Sequence, residues 1–183
     1  IIQARMSSTR LPGKVMMKVE NENTVLDCVL NQLQSSREIK NVVIATTDQK
    51  EDDIIVEFVK RRAIKYFRGS KKDVLDRYYQ CAKKFSFSEI VRITSDNPLI
   101  DYEIADTVVK YFKLNNYDYI ATDLPLNTFH RTYPLGYDVE VFTFSALENA
   151  WKNAKLPSER EHVTPYFYKN KEIFRQTDIE NSE

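Results

Sequence analysis

Short apolar runs alternate along this chain with longer stretches in which apolar residues recur every three or four positions. The short runs have the length and composition of buried β-strands, and they occupy residues 1–4, 42–46, 64–67, 90–94, 117–121 and 139–142. The longer stretches have the period of amphipathic α-helices, and they cover residues 25–33, 54–62, 74–85, 104–114 and 144–154. In the first of these helices Val25, Val29 and Leu33 share one face, and Asn23 or Thr24 is a candidate N-cap.

This βαβα order predicts an α/β protein with a mostly parallel sheet, helices on both of its faces and right-handed crossovers. In such sheets ligands bind beyond the carboxyl ends of the strands, so the loops that follow the strands are the candidate site. Those loops are residues 5–14, 47–48, 68–70 and 95–98. A further irregular segment, residues 123–136, contains Pro125, Asn127, Pro134 and Gly136 and is interpreted as a lid or a substrate loop.

Length and composition limit the possible functions. The chain has 183 residues, which predicts one domain with a core large enough to need neither a disulfide nor a structural metal. Its two cysteines, Cys28 and Cys81, lie in helical patterns and have neither a metal nor a redox spacing. No apolar window suits a membrane helix and no secretory signal is visible, so a cytoplasmic protein without membrane attachment is expected. The 27 basic and 27 acidic residues balance, which excludes a broad nucleic-acid-binding surface.

One segment departs from this charge balance. Residues 1–19 contain Arg5, Arg10, Lys14 and Lys18 but no Asp or Glu. These cations follow a short apolar run and lie among Ser, Thr, Pro and Gly, a composition typical of a loop. A strand followed by a basic loop is the pattern of a phosphate-binding loop, and a solvated charged loop is the alternative.

The common phosphate-binding motifs do not occur in this segment. A P-loop would need Gly at position 8 and Ser or Thr at position 15, where the chain has Ser8 and Val15. No dinucleotide-binding G-x-G-x-x-G is present either, and the chain has only 3 glycines. Side-chain cations must therefore make most of the contacts with a phosphate.

A carboxylate follows the strand predicted at residues 90–94. Asp96 lies just past that strand, and Pro98 prevents regular structure from continuing at once. Because Mg²⁺ is commonly held by one or two carboxylates together with phosphate oxygens, Asp96 is a candidate metal ligand. The alternative is an N-cap or an Asx-turn, but Asp101 fits the capping role better because the next helix begins directly after it.

Two carboxylates lie two positions apart in the last predicted strand. Strand geometry places Asp138 and Glu140 on one face and Val139 and Val141 on the other. Like charges side by side disfavour each other unless a cation or a set of donors lies between them, and a metal or sugar hydroxyls would serve. A half-solvated edge strand is the alternative.

The only histidines are His130 and His162. No zinc spacing and no nucleophile motif accompanies either of them, so a structural role is favoured over acid–base catalysis. His162 follows Glu161 in a stretch, residues 157–168, that is helical or irregular.

Residues 3–14, Gln-Ala-Arg-Met-Ser-Ser-Thr-Arg-Leu-Pro-Gly-Lys, closely resemble the nucleotide-binding loop of the cytidylyltransferases that activate acidic sugars, the acylneuraminate and KDO type. Within that type the chain is most similar to the spore-coat polysaccharide biosynthesis protein F group. Further matches to that group span nearly the whole chain, at residues 68–70, 73–78, 91–101, 136–142 and 160–165.

The resemblance implies a three-layer α/β/α structure with a mostly parallel mixed sheet, the nucleotide-diphospho-sugar transferase or glycosyltransferase-A-like fold. It implies a sugar nucleotidyltransferase that moves CMP from CTP to an acidic sugar with Mg²⁺, releases pyrophosphate and serves surface polysaccharide or glycoconjugate biosynthesis, as a possible homodimer. By analogy, Arg10 and Lys14 act in catalysis on the phosphates, Asp96 holds the metal, and three residues face the sugar: Asp138, Glu140 and His162. The residues assigned to nucleotide binding are Gln3, Ala4, Arg5, Ser7, Arg68 and Ser95.

Two departures from the family pattern leave other functions open. The chain begins inside its first strand, and it ends at Glu183 without the family's closing D-T-P-E-D-like segment, which usually supplies a second metal-binding carboxylate. We therefore expect a single domain over residues 1–183 that is shortened at both ends. One alternative is a nucleotide-binding or scaffolding module without catalysis. Another is a glycosyltransferase that uses a nucleotide sugar, although Asp96-Asn97 replaces the Asp-x-Asp motif that such enzymes normally need.

Overall fold

A mixed β-sheet forms the middle layer of the structure. The computed structural model describes residues 1–8, 10–123 and 132–181, and within these residues seven strands form one sheet in the order β3-β2-β1-β4-β6-β5-β7. The strands are β1 (Ile2–Gln3), β2 (Val43–Thr47), β3 (Lys65–Gly69), β4 (Glu89–Thr94), β5 (Tyr119–Ala121), β6 (Glu140–Thr143) and β7 (Gln176–Asp178).

All neighbouring strands are parallel except at β6, which runs antiparallel to both β4 and β5. The register places Ile2 of β1 opposite Ile44 of β2 and Ile93 of β4. The carboxyl ends of β1, β2, β3 and β4 therefore meet at one edge of the sheet, and the loops that follow them lie together there.

Seven helices in the described residues flank the sheet, and side chains fix where several of them begin. Thr24 caps the first helix, because its Oγ1 accepts a hydrogen bond from the Asp27 N–H (3.1 Å) and Asp27 Oδ2 accepts one from the Thr24 N–H (2.8 Å). Asp101 caps the fourth helix by accepting from the N–H groups of Glu103 (2.6 Å) and Ile104 (3.2 Å). The helices are α1 (Val25–Gln34), α2 (Asp53–Arg61), α3 (Val74–Lys84), α4 (Tyr102–Asn115), α5 (Phe144–Asn153), α6 (Pro157–His162) and α7 (Pro165–Lys169).

The core is split by the sheet into two apolar clusters, because successive strand side chains point to opposite faces. Helices α1, α2 and α4 pack on the face that carries Ile2, Ile44 and Val141. Helices α3, α5 and α7 pack on the other face, where the Phe167 ring contacts the rings of Tyr119 (5.1 Å between centroids) and Phe142 (5.2 Å). The predicted three-layer α/β/α fold with a mostly parallel sheet is confirmed.

The six predicted strands and five predicted helices are all present with small shifts in their ends, and β7 is additional. Strand β7 has no apolar run to mark it, since its residues Gln-Thr-Asp are polar and all partly exposed. The stretch at residues 157–168 divides into α6 and α7. Most of the segment predicted to be a lid, residues 124–131 with His130, lies outside the described residues. No helix in the part of the chain that the structure describes is long and apolar enough to cross a membrane.

We expect Phe167→Ala to lower the free energy of unfolding by about 3–5 kcal/mol, because it empties a site where three aromatic rings meet a fully buried phenyl ring. Leu114→Ala is the control, since Leu114 is 82% exposed and its truncation is expected to change the free energy by no more than about 0.5 kcal/mol. Urea denaturation measures both values. Equal effects of the two substitutions would contradict the packing described here.

Candidate active site

A cleft of about 300 Å³ opens at the carboxyl ends of β1 and β4. It is lined by residues of β1 and the loop that follows it, of β4 and the loop that follows it, and of α3 and α6. The structure brings together in this cleft eight of the residues predicted from sequence: Gln3, Ala4, Arg5, Arg10, Lys14, Ser95, Asp96 and His162.

The basic loop after β1 is closed by hydrogen bonds to one carbonyl group. The Met6 carbonyl accepts from the N–H groups of Ser8 (2.9 Å) and Gly13 (2.7 Å). Gly13 has φ +75°, a left-handed conformation that side chains disfavour, so glycine is required at this turn. The chain then enters a short 3₁₀ turn, Lys14–Met16, which begins at Lys14 beside the cleft.

A buried carboxylate fixes the start of this loop. Asp52 is 0% exposed, and its Oδ1 accepts a hydrogen bond from the Met6 N–H (2.6 Å). Its Oδ2 accepts a hydrogen bond from the Thr47 hydroxyl at the end of β2. The loop after β2 therefore holds the basic loop in place. The sequence analysis missed Asp52, although an acidic residue a few positions past a buried strand is a recognisable signal.

Arg68 of β3 binds the loop after β2, which carries Asp52. Its guanidinium donates to the carbonyls of Thr47 (2.9 Å) and Gln49 (2.8 Å) and to Asp53 Oδ1 (2.6 Å). Arg68 is thus committed to the loop that carries Asp52, and it does not line the cleft. Its predicted contact with the nucleotide stays a prediction. Ser7 likewise lies on the outer side of the basic loop, in a shallow depression beside Glu51.

Asp96 forms an ion pair with Lys14 across the mouth of the cleft. Burial by itself would raise the pKa of Asp96, but hydrogen bonds from Lys14 and Thr94 and the charge of Lys14 hold that pKa below its usual value. Asp96 is therefore a carboxylate at neutral pH. It does not cap α4, since that role belongs to Asp101, as predicted.

The residues of the cleft fit a metal ion that arrives with its own ligands. No cluster of three or more His, Cys, Asp or Glu side chains suits a metal ion within residues 1–8, 10–123 and 132–181. Asp96 is one carboxylate beside several cations, and Mg²⁺ in such sites takes its remaining ligands from substrate phosphates and water. Asp96 would hold Mg²⁺ in this way.

The cleft carries an excess of positive charge. Arg5, Arg10 and Lys14 line it, and of these only Lys14 is paired with a carboxylate in the described part of the chain. Arg77 of α3 also lines the cleft and is 1% exposed. The sequence analysis missed Arg77. Its signal was a charged residue three positions after Val74, on the apolar face of the helix.

Glu140 lies below the cleft and is balanced by a cation from the neighbouring strand. Its Oε2 accepts from Arg92 Nη1, its register partner on β4, and its Oε1 accepts from the Tyr119 hydroxyl (2.7 Å). Arg92 is thus the counter-charge of Glu140. The alternative of an edge strand is wrong, because β6 lies between β4 and β5. Asp138 precedes the strand, neither carboxylate lines the cleft, and their contact with a sugar stays a prediction.

His162 reaches the cleft from α6 together with Glu161. Arg160 ties this short helix to the start of α3, because its Nε donates to both carboxylate oxygens of Asp73 (3.1 and 3.0 Å) and its Nη1 donates to the Trp151 carbonyl (2.7 Å). Residues from distant parts of the sequence therefore line the same cleft as the basic loop.

A basic loop after β1, a carboxylate after β4 and a sheet in the order 3-2-1-4-6-5-7 define a nucleotidyltransferase of the nucleotide-diphospho-sugar transferase fold. The same fold is found in the CMP:2-keto-3-deoxy-manno-octonic acid synthetase solved in complex with CTP. That structure superposes with a TM-score of 0.69 at 16% identity and covers 98% of this chain and 88% of the synthetase.

Sequence comparison assigns the chain to a protein family. A family model described as cytidylyltransferase matches residues 1–182. The spore coat polysaccharide biosynthesis protein SpsF of Bacillus subtilis is 32% identical over 189 residues, which cover 100% of this chain and 75% of SpsF. A cytidylyltransferase structure from Leptospira borgpetersenii has a TM-score of 0.90 at 40% identity and covers 100% of this chain and 75% of that one. The chain belongs to the cytidylyltransferase family, which confirms the predicted family and the predicted nucleotidyltransferase enzyme.

We expect Glu140→Gln to lower the free energy of unfolding by about 3–5 kcal/mol, because it leaves the largely buried guanidinium of Arg92 without a counter-charge. Glu148→Gln is the matched control, since Glu148 pairs with Lys152 on α5 and a glutamine can still accept the hydrogen bond from the Tyr79 hydroxyl (3.1 Å), so a change of no more than about 0.5 kcal/mol is expected. Chemical denaturation of both variants measures the difference. If Glu140→Gln is as stable as the wild type, the pair does not support the sheet. Combining it with Arg92→Met should recover part of the loss.

Proposed function

We propose that this chain transfers CMP from CTP to an acidic sugar and releases pyrophosphate. The observation that carries the proposal is the meeting of Arg5, Arg10 and Lys14 in one cleft with the carboxylate of Asp96, which pairs with Lys14. A triphosphate with its Mg²⁺ matches that charge pattern, because the phosphates meet the cations and the metal meets the carboxylate. The relationship to SpsF supports a role in surface polysaccharide or glycoconjugate biosynthesis.

The reaction depends on the positioning of the two substrates and on the stabilisation of negative charge on the phosphates, and it needs no covalent catalyst. A sugar hydroxyl oxygen attacks the α-phosphorus in line, a new P–O bond forms, the bond from the α-phosphorus to the bridging oxygen breaks, and pyrophosphate leaves as the hydroxyl proton is released. Mg²⁺ held by Asp96 would neutralise charge on the phosphates. Arg5, Arg10 and Lys14 hold the triphosphate and stabilise the negative charge that develops on the leaving group.

The pair of Lys14 and Asp96 suits such a cycle. In the free protein each neutralises the other, so neither remains an isolated charge in a partly buried cleft. When a triphosphate enters, Lys14 exchanges the carboxylate for phosphate oxygens, and Asp96 becomes available to the metal. His162 and Glu161 line the same cleft, and the sugar is proposed to approach the α-phosphorus beside them.

Pyrophosphate release with CTP, Mg²⁺ and a panel of acidic sugars tests the proposal, with ATP, GTP and UTP as competing donors. We expect Lys14→Ala and Asp96→Ala to lower kcat/KM by about 100-fold or more, because each removes charge that faces the reacting phosphates.

Lys18→Ala is the control for the loss of a lysine from the same basic segment. Lys18 pairs with Glu22 on the surface and does not line the cleft, so kcat/KM should be unchanged. Full activity of Asp96→Ala would refute the metal assignment, and full activity of Lys14→Ala would refute the role of the loop. CTP binding without turnover on any sugar would favour a nucleotide-binding module instead.

A further inference from the structure

One arginine in the wall of the cleft has no counter-charge of its own. Arg77 projects from α3 and is 1% exposed, yet its Nε has no hydrogen-bond partner. The guanidinium makes one hydrogen bond, from Nη1 to the Ser70 carbonyl at 3.2 Å. No carboxylate lies within ion-pair distance of Arg77 in the part of the chain that the structure describes. The Nε–H of Arg77 is therefore a buried donor without an acceptor, on a side chain that has no counter-charge.

A largely buried charge in this state is costly, because burial has removed most of its contact with water and no ion pair replaces that contact. Burial lowers the pKa of the Arg77 guanidinium and the nearby charge of Arg5 lowers it further, while Asp52 and Asp48 act in the opposite direction from a distance. Asp52 is already bound to the Met6 N–H and the Thr47 hydroxyl. A guanidinium stays protonated even so, which leaves an uncompensated cation beside the cleft.

The contrast with Arg92 shows that the fold can neutralise such a group where it needs to. Arg92 lines the same cleft and is also largely buried, but the carboxylate of Glu140 lies directly opposite it on β6. No equivalent carboxylate faces Arg77 among the described residues. The protein thus supplies the counter-charge for one buried arginine of the cleft and not for the other.

The last residue of β3 makes room for Arg77. A Cβ atom added to Gly69 would lie 2.9 Å from Phe67 Cε1 and 3.2 Å from Arg77 Cγ, both too close. Glycine at this position therefore lets the aliphatic part of Arg77 pack against the backbone of the strand. The aliphatic part of Arg77 therefore has a defined place beside β3, and the Ser70 carbonyl holds one end of its guanidinium.

We propose that Arg77 binds an oxyanion of the ligand, and that this oxyanion supplies the counter-charge that the protein does not provide. The chemistry is that of a phosphate or a carboxylate group, which a guanidinium binds through two parallel hydrogen bonds. Two sources in the proposed reaction carry such a group, the phosphates of the nucleotide and the carboxylate of an acidic sugar. Only this choice of sources rests on the proposed function.

Arg77→Met tests the proposal by two readouts that should move in opposite directions. Without ligand its Tm should equal or exceed that of the wild type, because a buried uncompensated charge is replaced by an apolar chain of similar size. Its affinity for inorganic pyrophosphate, measured by calorimetry, should fall by about 10–100-fold. If the oxyanion comes from the sugar, the affinity for 3-deoxy-manno-octulosonic acid or N-acetylneuraminic acid should fall instead and that for pyrophosphate should be unchanged.

Arg62→Met is the matched control. Arg62 pairs with the buried carboxylate of Asp27 and lies over the Phe58 ring, away from the cleft. Its loss should lower the Tm and leave every ligand affinity as in the wild type. Gly69→Ala is a second variant, which should displace Arg77 and weaken oxyanion binding in the wild-type background but cause no further loss in Arg77→Met.

The proposal is overturned if Arg77→Met binds pyrophosphate and both sugar acids as tightly as the wild type, or if the wild type binds none of them. A fall in the Tm of unliganded Arg77→Met as large as that of Arg62→Met would also overturn it, since Arg77 would then support the fold. If pyrophosphate binding depends on Arg77 but no nucleotide is turned over, oxyanion binding by Arg77 is supported and the proposed function is refuted. If turnover proceeds and Arg77→Met keeps all affinities, the proposed function is supported and oxyanion binding by Arg77 is refuted.

Discussion

The buried carboxylate of Asp52 joins two loops at the carboxyl edge of the sheet, and the position of the cleft depends on it. One of its oxygens holds the Met6 N–H where the basic loop leaves β1, and the other holds the Thr47 hydroxyl where β2 ends. Arg68 in turn binds the carbonyls of Thr47 and Gln49 and so keeps the second loop in shape. Arg5 and Lys14 can carry concentrated positive charge on a loop because that loop is fixed by bonds to the scaffold and not by contacts among its own cations.

The charges of this protein fall into two groups that differ in what neutralises them. Arg92 with Glu140 and Arg160 with Asp73 are closed pairs that hold strands and helices together. The cleft is different, because its cations outnumber its carboxylates. A buried ion pair adds little net stability, but a cation without its partner is costly. Binding of an anion would therefore lower the free energy of the unpaired cations in the cleft, and this gain is a physical basis for selective binding.

The sequence was sufficient to predict the sheet, the helices and one side of the cleft, because these depend on local patterns. Apolar runs marked the strands from β1 to β6, Asp101 was recognised as a cap, and the acid-free segment marked the basic loop. Strand β7 could not be predicted, since Gln176–Asp178 are polar and the strand exists only because β5 offers an edge for pairing. The ion pair of Arg92 with Glu140 joins residues 48 positions apart and depends on the register between their strands, and Asp52 gains its role from a loop far away in the sequence. Such pairings are properties of the tertiary structure.

The reversed direction of β6 has a consequence for how this enzyme can vary. Because β6 alone runs antiparallel, the carboxyl end of β5 and the amino end of β6 both lie at the edge of the sheet that holds the cleft. The Thr122 N–H donates to the Val139 carbonyl (3.0 Å), and the Val139 N–H donates to the Thr122 hydroxyl (3.0 Å). These two bonds close the base of the connection between the strands. Because these bonds involve only Thr122 and Val139, the register of β5 against β6 is fixed where the connection begins and ends, and substitutions between these two residues can be tolerated without a change in the pairing of the strands.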